Sequence, residues 1–307
     1  MKLGTTTLSV TTAGRPRQKY ASGGGGSASS GPVVWNDIST ATFVRKTQMD
    51  FGGRDPMGVY FKPDGTRMFV SMYSPNYQIK EFILSTPWDI STYGSGENHS
   101  VQLNGYLSST RGRPHDIFFK PDGLTMWYAD YLYDYVVQHD LSSAWDLSTI
   151  NLNHTAYFDV VGESRLRGLW FKPDGTEMFV HGTGGDRVRR FTLTTPWDIT
   201  TASFVHTSSS MGAYPHSLFL KPDGTKLFST DSSGDRIKQW VLPTPFDVSS
   251  VSIGGIIGGA AATQLLVGSS YLPAVSENNP SAIYITDDGT RLYMAGQGGN
   301  QMVQFDL

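Results

Sequence analysis

The chain has 307 residues, with 24 Lys and Arg against 27 Asp and Glu, and carries a formal net charge of −3 at pH 7. Cysteine is absent, which excludes a disulfide framework and thiol chemistry but leaves the redox compartment open. Only 17% of the residues are charged, 12% are aromatic and Gly occurs 34 times, a composition typical of a protein built from strands and turns. No stretch has the pattern of a targeting signal.

Residues 1–32 differ in composition from the rest of the chain. They contain four basic residues and no acidic residue, so they carry +4 while the remainder carries −7. A Gly/Ser-rich stretch, 23–31, follows the basic part and has the composition of a flexible tether. We expect an extended N-terminal arm that is either a solvated tail or an anchor to a partner protein. The basic residues of the arm are Lys2, Arg15, Arg17 and Lys19.

One short phrase recurs along the remainder of the chain. Its four closest copies contain Lys-Pro-Asp-Gly, in which Pro presets φ, Asp bonds its own backbone and Gly accepts a positive φ, as a tight turn requires. The steps between successive aspartates are 58, 52, 49 and 65 residues, in the range of one four-stranded propeller blade. The turn aspartates are Asp64, Asp122, Asp174, Asp223 and, in a divergent copy, Asp288.

A second motif keeps a constant distance from the first. An aromatic residue followed by Asp recurs four times, and this Asp lies 25, 24, 24 and 24 residues after the turn aspartate. Two motifs in the same register indicate a true repeat. The pairs are Trp88-Asp89, Trp145-Asp146, Trp197-Asp198 and Phe246-Asp247.

Each repeat is expected to contain four strands. In the fourth repeat, 217–221, 226–230 and 236–242 are apolar or alternating segments separated by turn residues, and a fourth strand follows Phe246-Asp247. The uncharged stretch 248–276 is expected to be a lengthened outer strand with an inserted loop rather than a membrane-spanning helix. We therefore predict no membrane insertion.

The two ends of the chain predict how the ring closes. The last repeat stops after its third strand, 303–307, whereas 35–44 resembles the fourth-strand region 197–205 with one residue inserted. The N-terminal strand is therefore predicted to complete the last blade. The fold class is all-β, a five-bladed β-propeller over residues 33–307 with no open sheet edge, preceded by the arm 1–32.

The repeat resembles that of propellers in structural proteins of tailed bacteriophages, and more distantly that of NHL-type and lactonase-like propellers. The resemblance covers about residues 33–307 and rests on Phe-Lys-Pro-Asp-Gly-Thr followed by Thr-Pro-Trp-Asp-Ile-Ser-Thr. It implies a virion surface protein, such as a fibre, spike, knob or decoration protein, located on the extracellular particle. The arm would bind other virion proteins, and the propeller would face outward in a larger assembly.

The mouth of the central channel is the first candidate site. By symmetry, five residues near the start of the inner strands should surround it, and none is acidic, which argues against a glycosidase carboxylate pair. Two of them are histidines that could hold a metal together with Asp116, although a polar or structural lining is the favoured interpretation. No catalytic residue, metal or cofactor is therefore predicted. The five residues are Met57, His115, Arg167, His216 and Ser281.

Five tyrosines form the second candidate site. They lie in the turns between the second and third strands of the first two blades, where they could form a platform for sugar rings or fill the space between blades. The residues are Tyr73, Tyr77, Tyr131, Tyr133 and Tyr135.

Three functions follow from these patterns. The preferred one is a non-enzymatic virion surface protein that binds a host-surface glycan. The second is a purely architectural capsid or tail decoration. The third is a metal-assisted hydrolase or lyase with its site in the propeller funnel. Nucleic acid is not an expected partner, because the propeller region is acidic.

Overall fold

The computed structural model describes residues 35–49, 51, 55–73, 77–94, 99–103, 112–212, 214–251, 263–266 and 278–307. These residues fall within one compact unit, Val33–Leu307. The arm 1–32 with its four basic residues lies outside the described residues, as does most of the uncharged stretch 248–276. Within the described ranges, no helix is long and apolar enough to cross a membrane.

The described chain forms five antiparallel sheets of four strands each, which confirms the predicted five-bladed propeller. The strand that starts the described chain is β1 (Thr42–Gln48). Blade 1 contains β2 (Pro56–Phe61), β3 (Arg67–Met72), β4 (Gln78–Ile83) and β5 (His99–Gln102). Blade 2 contains β6 (Pro114–Phe119), β7 (Thr125–Asp130), β8 (Tyr135–Asp140) and β9 (Ala156–Asp159). Blade 3 contains β10 (Leu166–Phe171), β11 (Glu177–Gly182), β12 (Arg187–Leu193) and β13 (Ala202–Thr207). Blade 4 contains β14 (Pro215–Leu220), β15 (Lys226–Asp231), β16 (Arg236–Val241) and β17 (Thr263–Leu266). Blade 5 contains β18 (Pro280–Ile285), β19 (Arg291–Gly296), β20 (Gln301–Asp306) and, as its outer strand, β1.

The ring closes as predicted, with the first strand completing the last blade. Strand β1 pairs antiparallel with β20, from Thr42 opposite Asp306 to Gln48 opposite Gln301. The inner strands pack in sequence around the channel, with β18 of blade 5 packed against β2 of blade 1. Pairing the two ends of the chain removes the free edge that β20 would otherwise present.

The corner of each blade explains why the two sequence motifs stay in register. In blade 3, Gly175 of the Asp-Gly turn has φ +72°, and a Cβ there would lie 2.4 Å from the ring of Trp197. The amide of Trp197 donates to the carbonyl of Gly175 at 2.9 Å. Asp198 then caps a short 3₁₀ turn by accepting from the amide of Thr200. In the described part of the chain, the 3₁₀ turns are Ile38–Thr40, Ile90–Thr92, Leu147–Thr149, Ile199–Thr201 and Val248–Ser250.

The same corner occurs at the closure of the ring. A Cβ on Gly289 would lie 2.6 Å from the ring of Trp35, and Asp37 caps the 3₁₀ turn that leads into β1. Trp35 therefore packs over the turn glycine of blade 5, as the aromatic residue of each later motif packs over the turn glycine of its own blade.

The apolar core lies in layers between neighbouring blades. Aromatic rings from adjacent blades meet across these layers, with centroids 4.4 Å apart for Phe69 and Phe119 and 4.7 Å apart for Trp127 and Phe171. These four rings are fully buried. Because each layer joins two blades, removing one blade would expose two apolar surfaces.

Candidate functional site

The funnel mouth is the set of second residues of the five inner strands. In every blade, the pairing between the inner strand and its neighbour shifts register at this position, as it does between Leu166 and Gly168 in β10. A bulge of this kind re-aims a side chain and is common next to functional sites. The members are Met57, His115, Arg167, His216 and Ser281.

Two members of the funnel mouth are engaged by their neighbours. The hydroxyl of Ser281 donates to the carbonyl of Pro56, and the sulfur of Met57 accepts from the side-chain amide of Gln297 at 3.3 Å. These contacts tie blade 5 to blade 1. The side of the mouth formed by blades 1 and 5 is therefore structural.

The other three members form the His/Arg cluster, which consists of His115, Arg167 and His216. The side chain of Arg167 donates through Nη1 to Nε2 of His216. Nδ1 of His216 and both ring nitrogens of His115 have no hydrogen-bond partner among the described residues, although His115 is only 2% exposed and His216 6%. Buried polar groups without partners are rare in folded proteins. Each of these nitrogens is buried and lacks a hydrogen-bond partner among the described residues.

The two imidazoles of the cluster are neutral at pH 7. Burial lowers the pKa of His115 and of His216 well below the usual 6.5, and the positive charge of Arg167 lowers both further. A guanidinium can only donate hydrogen bonds, so Nε2 of His216 must accept. The proton of neutral His216 therefore lies on Nδ1, which makes this nitrogen a free donor.

Three of the five tyrosines contribute a wall to the funnel mouth. Tyr131 stacks on His115 with ring centroids 4.5 Å apart and an interplanar angle of 14°. The guanidinium carbon of Arg167 lies 5.3 Å from the centroid of the Tyr131 ring. Tyr73 contacts His115 edge-on at 5.8 Å and Tyr77 at 5.5 Å.

The remaining two tyrosines belong to a different surface. Tyr133 and Tyr135 stack on each other at 6.5 Å, and Tyr135 meets Tyr157 of the outer strand β9 at 5.5 Å. The structure thus divides the predicted platform into a group at the funnel mouth and a pair on the side of blade 2. Binding of a glycan by either group stays a prediction.

Asp116 does not line the mouth beside the histidines. Its Oδ2 accepts from the hydroxyl of Ser217 at 3.1 Å and from the amides of Leu218 and Leu169 at 3.3 and 3.4 Å. The hydroxyl of Ser217 in turn accepts from the amide of Ile283 in blade 5. Burial raises the pKa of Asp116 to about 8, although these hydrogen bonds act in the opposite direction. Asp116 therefore links blades 2, 3, 4 and 5 below the mouth.

The residues beside Asp116 leave room for it. The equivalent third positions of the other inner strands are all small, and a Cβ on Gly58 would lie 2.7 Å from Cα of Asp116. One carboxyl group and four small residues thus fill the centre of the ring. The small residues are Gly58, Gly168, Ser217 and Ala282.

The donor set considered as an alternative for a metal, His115, His216 and Asp116, does not come together. Within the described ranges, no group of three His, Asp or Glu side chains is placed to hold a metal ion. The reason at the funnel is the orientation of Asp116, whose Oδ2 is occupied by three donors from blades 3 and 4. The cluster is suited to hydrogen bonding rather than to metal ligation.

One buried residue near the cluster was not identified from the sequence. His181 in β11 pairs with Gly168, where a Cβ would lie 2.4 Å from the imidazole. Burial lowers the pKa of His181 to about 3, and the charge of Arg167 acts in the same direction. The signal in the sequence is that blade 3 has a histidine at this position, whereas the equivalent positions of the other four blades have small residues. The small residues are Ser71, Ala129, Thr230 and Ala295.

No protein-family model matches the chain, and no curated protein matches its sequence. Solved structures share the fold. A provisionally named 6-phosphogluconolactonase from Bacteroides fragilis is 16% identical with a TM-score of 0.47, and the match covers 81% of this chain and 67% of that one. The periplasmic gluconolactonase of Pseudomonas aeruginosa is 14% identical with a TM-score of 0.48, covering 82% and 66%. A nidogen/laminin complex is 16% identical with a TM-score of 0.50, covering 85% and 79%.

The sheet topology defines the class of protein, a five-bladed β-propeller, and these solved structures are similar to it. At such identities they show the fold alone. The lactonase names contradict the expectation that the protein is not an enzyme, and that expectation is wrong. That expectation weighed the two histidines of the funnel mouth as metal ligands only and not as general bases. Nothing in the comparisons indicates a bacteriophage virion protein.

Proposed function

We propose that the protein is a hydrolase of small esters or lactones whose active site is the His/Arg cluster at the funnel mouth. The observation that carries this proposal is His115, a buried and neutral imidazole with neither ring nitrogen hydrogen-bonded. A neutral imidazole is the usual general base for activating water. Beside it, the free donor on His216 can polarise a carbonyl oxygen, as a neutral imidazole does in other enzymes.

The reaction proceeds in two balanced steps. His115 takes a proton from a water molecule, the resulting hydroxide adds to the ester carbonyl carbon, and Nδ1–H of His216 hydrogen-bonds the oxyanion that develops. The tetrahedral intermediate then collapses, the carbon–oxygen bond to the leaving group breaks, and His115 returns its proton to the departing oxygen. The products are a carboxylic acid, which ionises in water, and an alcohol; a lactone gives both groups in one molecule.

The surroundings of the cluster favour a ring-shaped substrate. Tyr131 and Tyr73 present aromatic surfaces next to His115, and sugar rings pack well against such surfaces. Asp116 and its hydrogen bonds close the centre of the ring below the mouth, so a ligand would enter and leave on the same side. Gluconolactone, the cyclic ester of a sugar acid, combines these features and matches the activity named for one neighbour.

The proposal is tested by measuring hydrolysis of gluconolactone and p-nitrophenyl acetate, corrected for the spontaneous rate. We expect wild-type protein to accelerate at least one of them and His115→Gln to lose about 100-fold of that rate. His206→Gln is the matched control, because His206 lies on an outer strand beside Asp247, 3.4 Å away. An undiminished rate in His115→Gln, or no hydrolysis by the wild type, contradicts the proposal.

The virion surface location, the anchoring role of residues 1–32 and the binding of a host glycan stay predictions. The arm 1–32 shares no residue with the His/Arg cluster, and of the five tyrosines predicted to bind a glycan, Tyr133 and Tyr135 lie on the side of blade 2 instead of at the cluster. Deleting residues 1–32 and measuring incorporation into a particle tests the anchoring role.

A further inference from the structure

Arg167 is a partly buried arginine whose surroundings differ from those of five other described arginines. Five described arginines have a carboxylate within salt-bridge distance, whereas Arg167 has none within the described ranges; the five are Arg45, Arg67, Arg189, Arg190 and Arg236. Burial raises the pKa of Asp186 overall and outweighs the charge of Arg167, which lowers that pKa.

The guanidinium of Arg167 has donors to spare. One nitrogen, Nη1, donates to His216, while Nε is buried and has no partner among the described residues. Burial lowers the pKa of Arg167, although Tyr131 opposes this effect through its hydroxyl. A partly buried positive charge without a counterion is unfavourable, and a guanidinium fork matches the oxygens of carboxylates and phosphates.

The neighbouring imidazoles extend this set of donors without adding charge. His115 and His216 are each neutral, so each has one N–H group that can donate a hydrogen bond. Together with the N–H groups of Arg167, they supply the hydrogen-bond donors that an oxyanion requires. His115 is 2% exposed with both nitrogens unpartnered, which is an independent sign that a ligand completes the site.

We infer that Arg167 binds an anionic oxygen group of the substrate, a phosphate or a carboxylate carried by the sugar-like ring. Calling the bound molecule a substrate rests on the proposed function, whereas anion binding by Arg167 can be tested without catalysis. It assigns to Arg167 the recognition of the charged end, while the ester end reacts between His115 and His216.

The test is a titration of the full chain with inorganic phosphate and, separately, with acetate, followed by calorimetry and by the side-chain Nε–H resonance of Arg167. We expect wild-type protein to bind at least one anion and to shift that resonance. Arg167→Gln should bind at least tenfold more weakly, and Arg167→Lys should recover part of the loss as a point charge. Stronger binding of phosphate than of acetate identifies a phosphorylated substrate, and the reverse identifies a carboxylated one.

Arg187→Gln is the matched control, because Arg187 is an exposed arginine at the start of β12 in the same blade. Equal anion binding by wild type and Arg167→Gln overturns the inference. An Arg167 resonance that does not shift in the wild type also overturns it, and this measurement does not depend on a variant that folds. Anion binding at Arg167 without any hydrolysis would defeat only the proposed function. Hydrolysis of a neutral lactone without binding of either anion would defeat only this inference.

Discussion

The blade corners and the funnel mouth occupy the same repeat but follow opposite rules. At the corners, every blade places an aromatic ring over a turn glycine, and a capping Asp follows; the glycines are Gly65, Gly123, Gly175, Gly224 and Gly289. At the funnel mouth, the five equivalent positions hold five side chains of four different types, Met, His, Arg, His and Ser. A position that the fold needs is filled in the same way in each blade.

The difference locates function within a repetitive fold. Where symmetry is kept, the residues contact backbone and rings of their own blade and of the preceding one, as Trp197 does with Gly175 and Trp127. Where symmetry is broken, between blades 2 and 4, the side chains are left with unpartnered nitrogens. Departures from the repeat therefore mark the candidate site better than the repeat itself does.

The largest effect should come from a corner glycine. Gly175→Ala places a methyl group 2.4 Å from the ring of Trp197 at a φ of +72°, so both the ring and the backbone must move. We expect the free energy of unfolding to fall by about 4 kcal/mol. Chemical denaturation measures this change.

Gly185→Ala in the same blade is the control for that substitution. A Cβ there would meet its nearest neighbour at 3.6 Å, an ordinary contact, so we expect a change within about 0.5 kcal/mol. Equal destabilisation by the two substitutions would show that the corners are not special.

Asp116 should make the stability of the ring depend on pH. Its folded pKa of about 8 lies above the unfolded value of 3.8, so between these values the folded state binds more protons and its stability falls as pH rises. We expect the wild type to lose about 3 to 4 kcal/mol more than Asp116→Asn between pH 5 and pH 8. Parallel pH dependence in the two proteins, measured by urea denaturation, would mean that Asp116 titrates normally.

The His/Arg cluster predicts the pH profile of hydrolysis. The reaction needs neutral His115, and its pKa lies well below 6.5, so the rate should stay constant from pH 8 to pH 6.5 and decline only in more acidic solution. An imidazole of ordinary pKa would already have lost about half of the rate at pH 6.5. A half-maximal rate at that pH would show that His115 is not the base or is not desolvated.

The smallest effect should separate the two groups of tyrosines. Tyr131→Leu removes the ring that stacks on His115 and lies beneath Arg167, and we expect kcat/KM to fall about fivefold. Tyr133→Leu, on the side of blade 2, should leave kcat/KM unchanged. The opposite order would place the substrate on the outer surface.

Much of the fold could be predicted because its determinants are local and repeated. The Asp-Gly turns and Trp-Asp pairs gave the blade period, and the likeness of 35–44 to 197–205 gave the closure, which β1 confirms. The five positions of the funnel mouth also followed from symmetry. Their chemistry did not, because it depends on which side chains reach across blades.

Three features required coordinates for this reason. The direction of Asp116 depends on the small residues of four other blades, which leave space for its carboxyl group. The separation of Tyr133 and Tyr135 from the funnel depends on the path of a single turn. The neutrality of His115 depends on its burial, which residue type and spacing do not reveal.

The state of the imidazoles tests the proposed site most directly. Nitrogen NMR of the seven histidines at pH 7, before and after addition of gluconate, reports both protonation and ligand contact. We predict that His115 and His216 are neutral and that their resonances shift most with gluconate. Charged imidazoles at these two positions, or shifts confined to the other histidines, would contradict a ligand site at the funnel mouth.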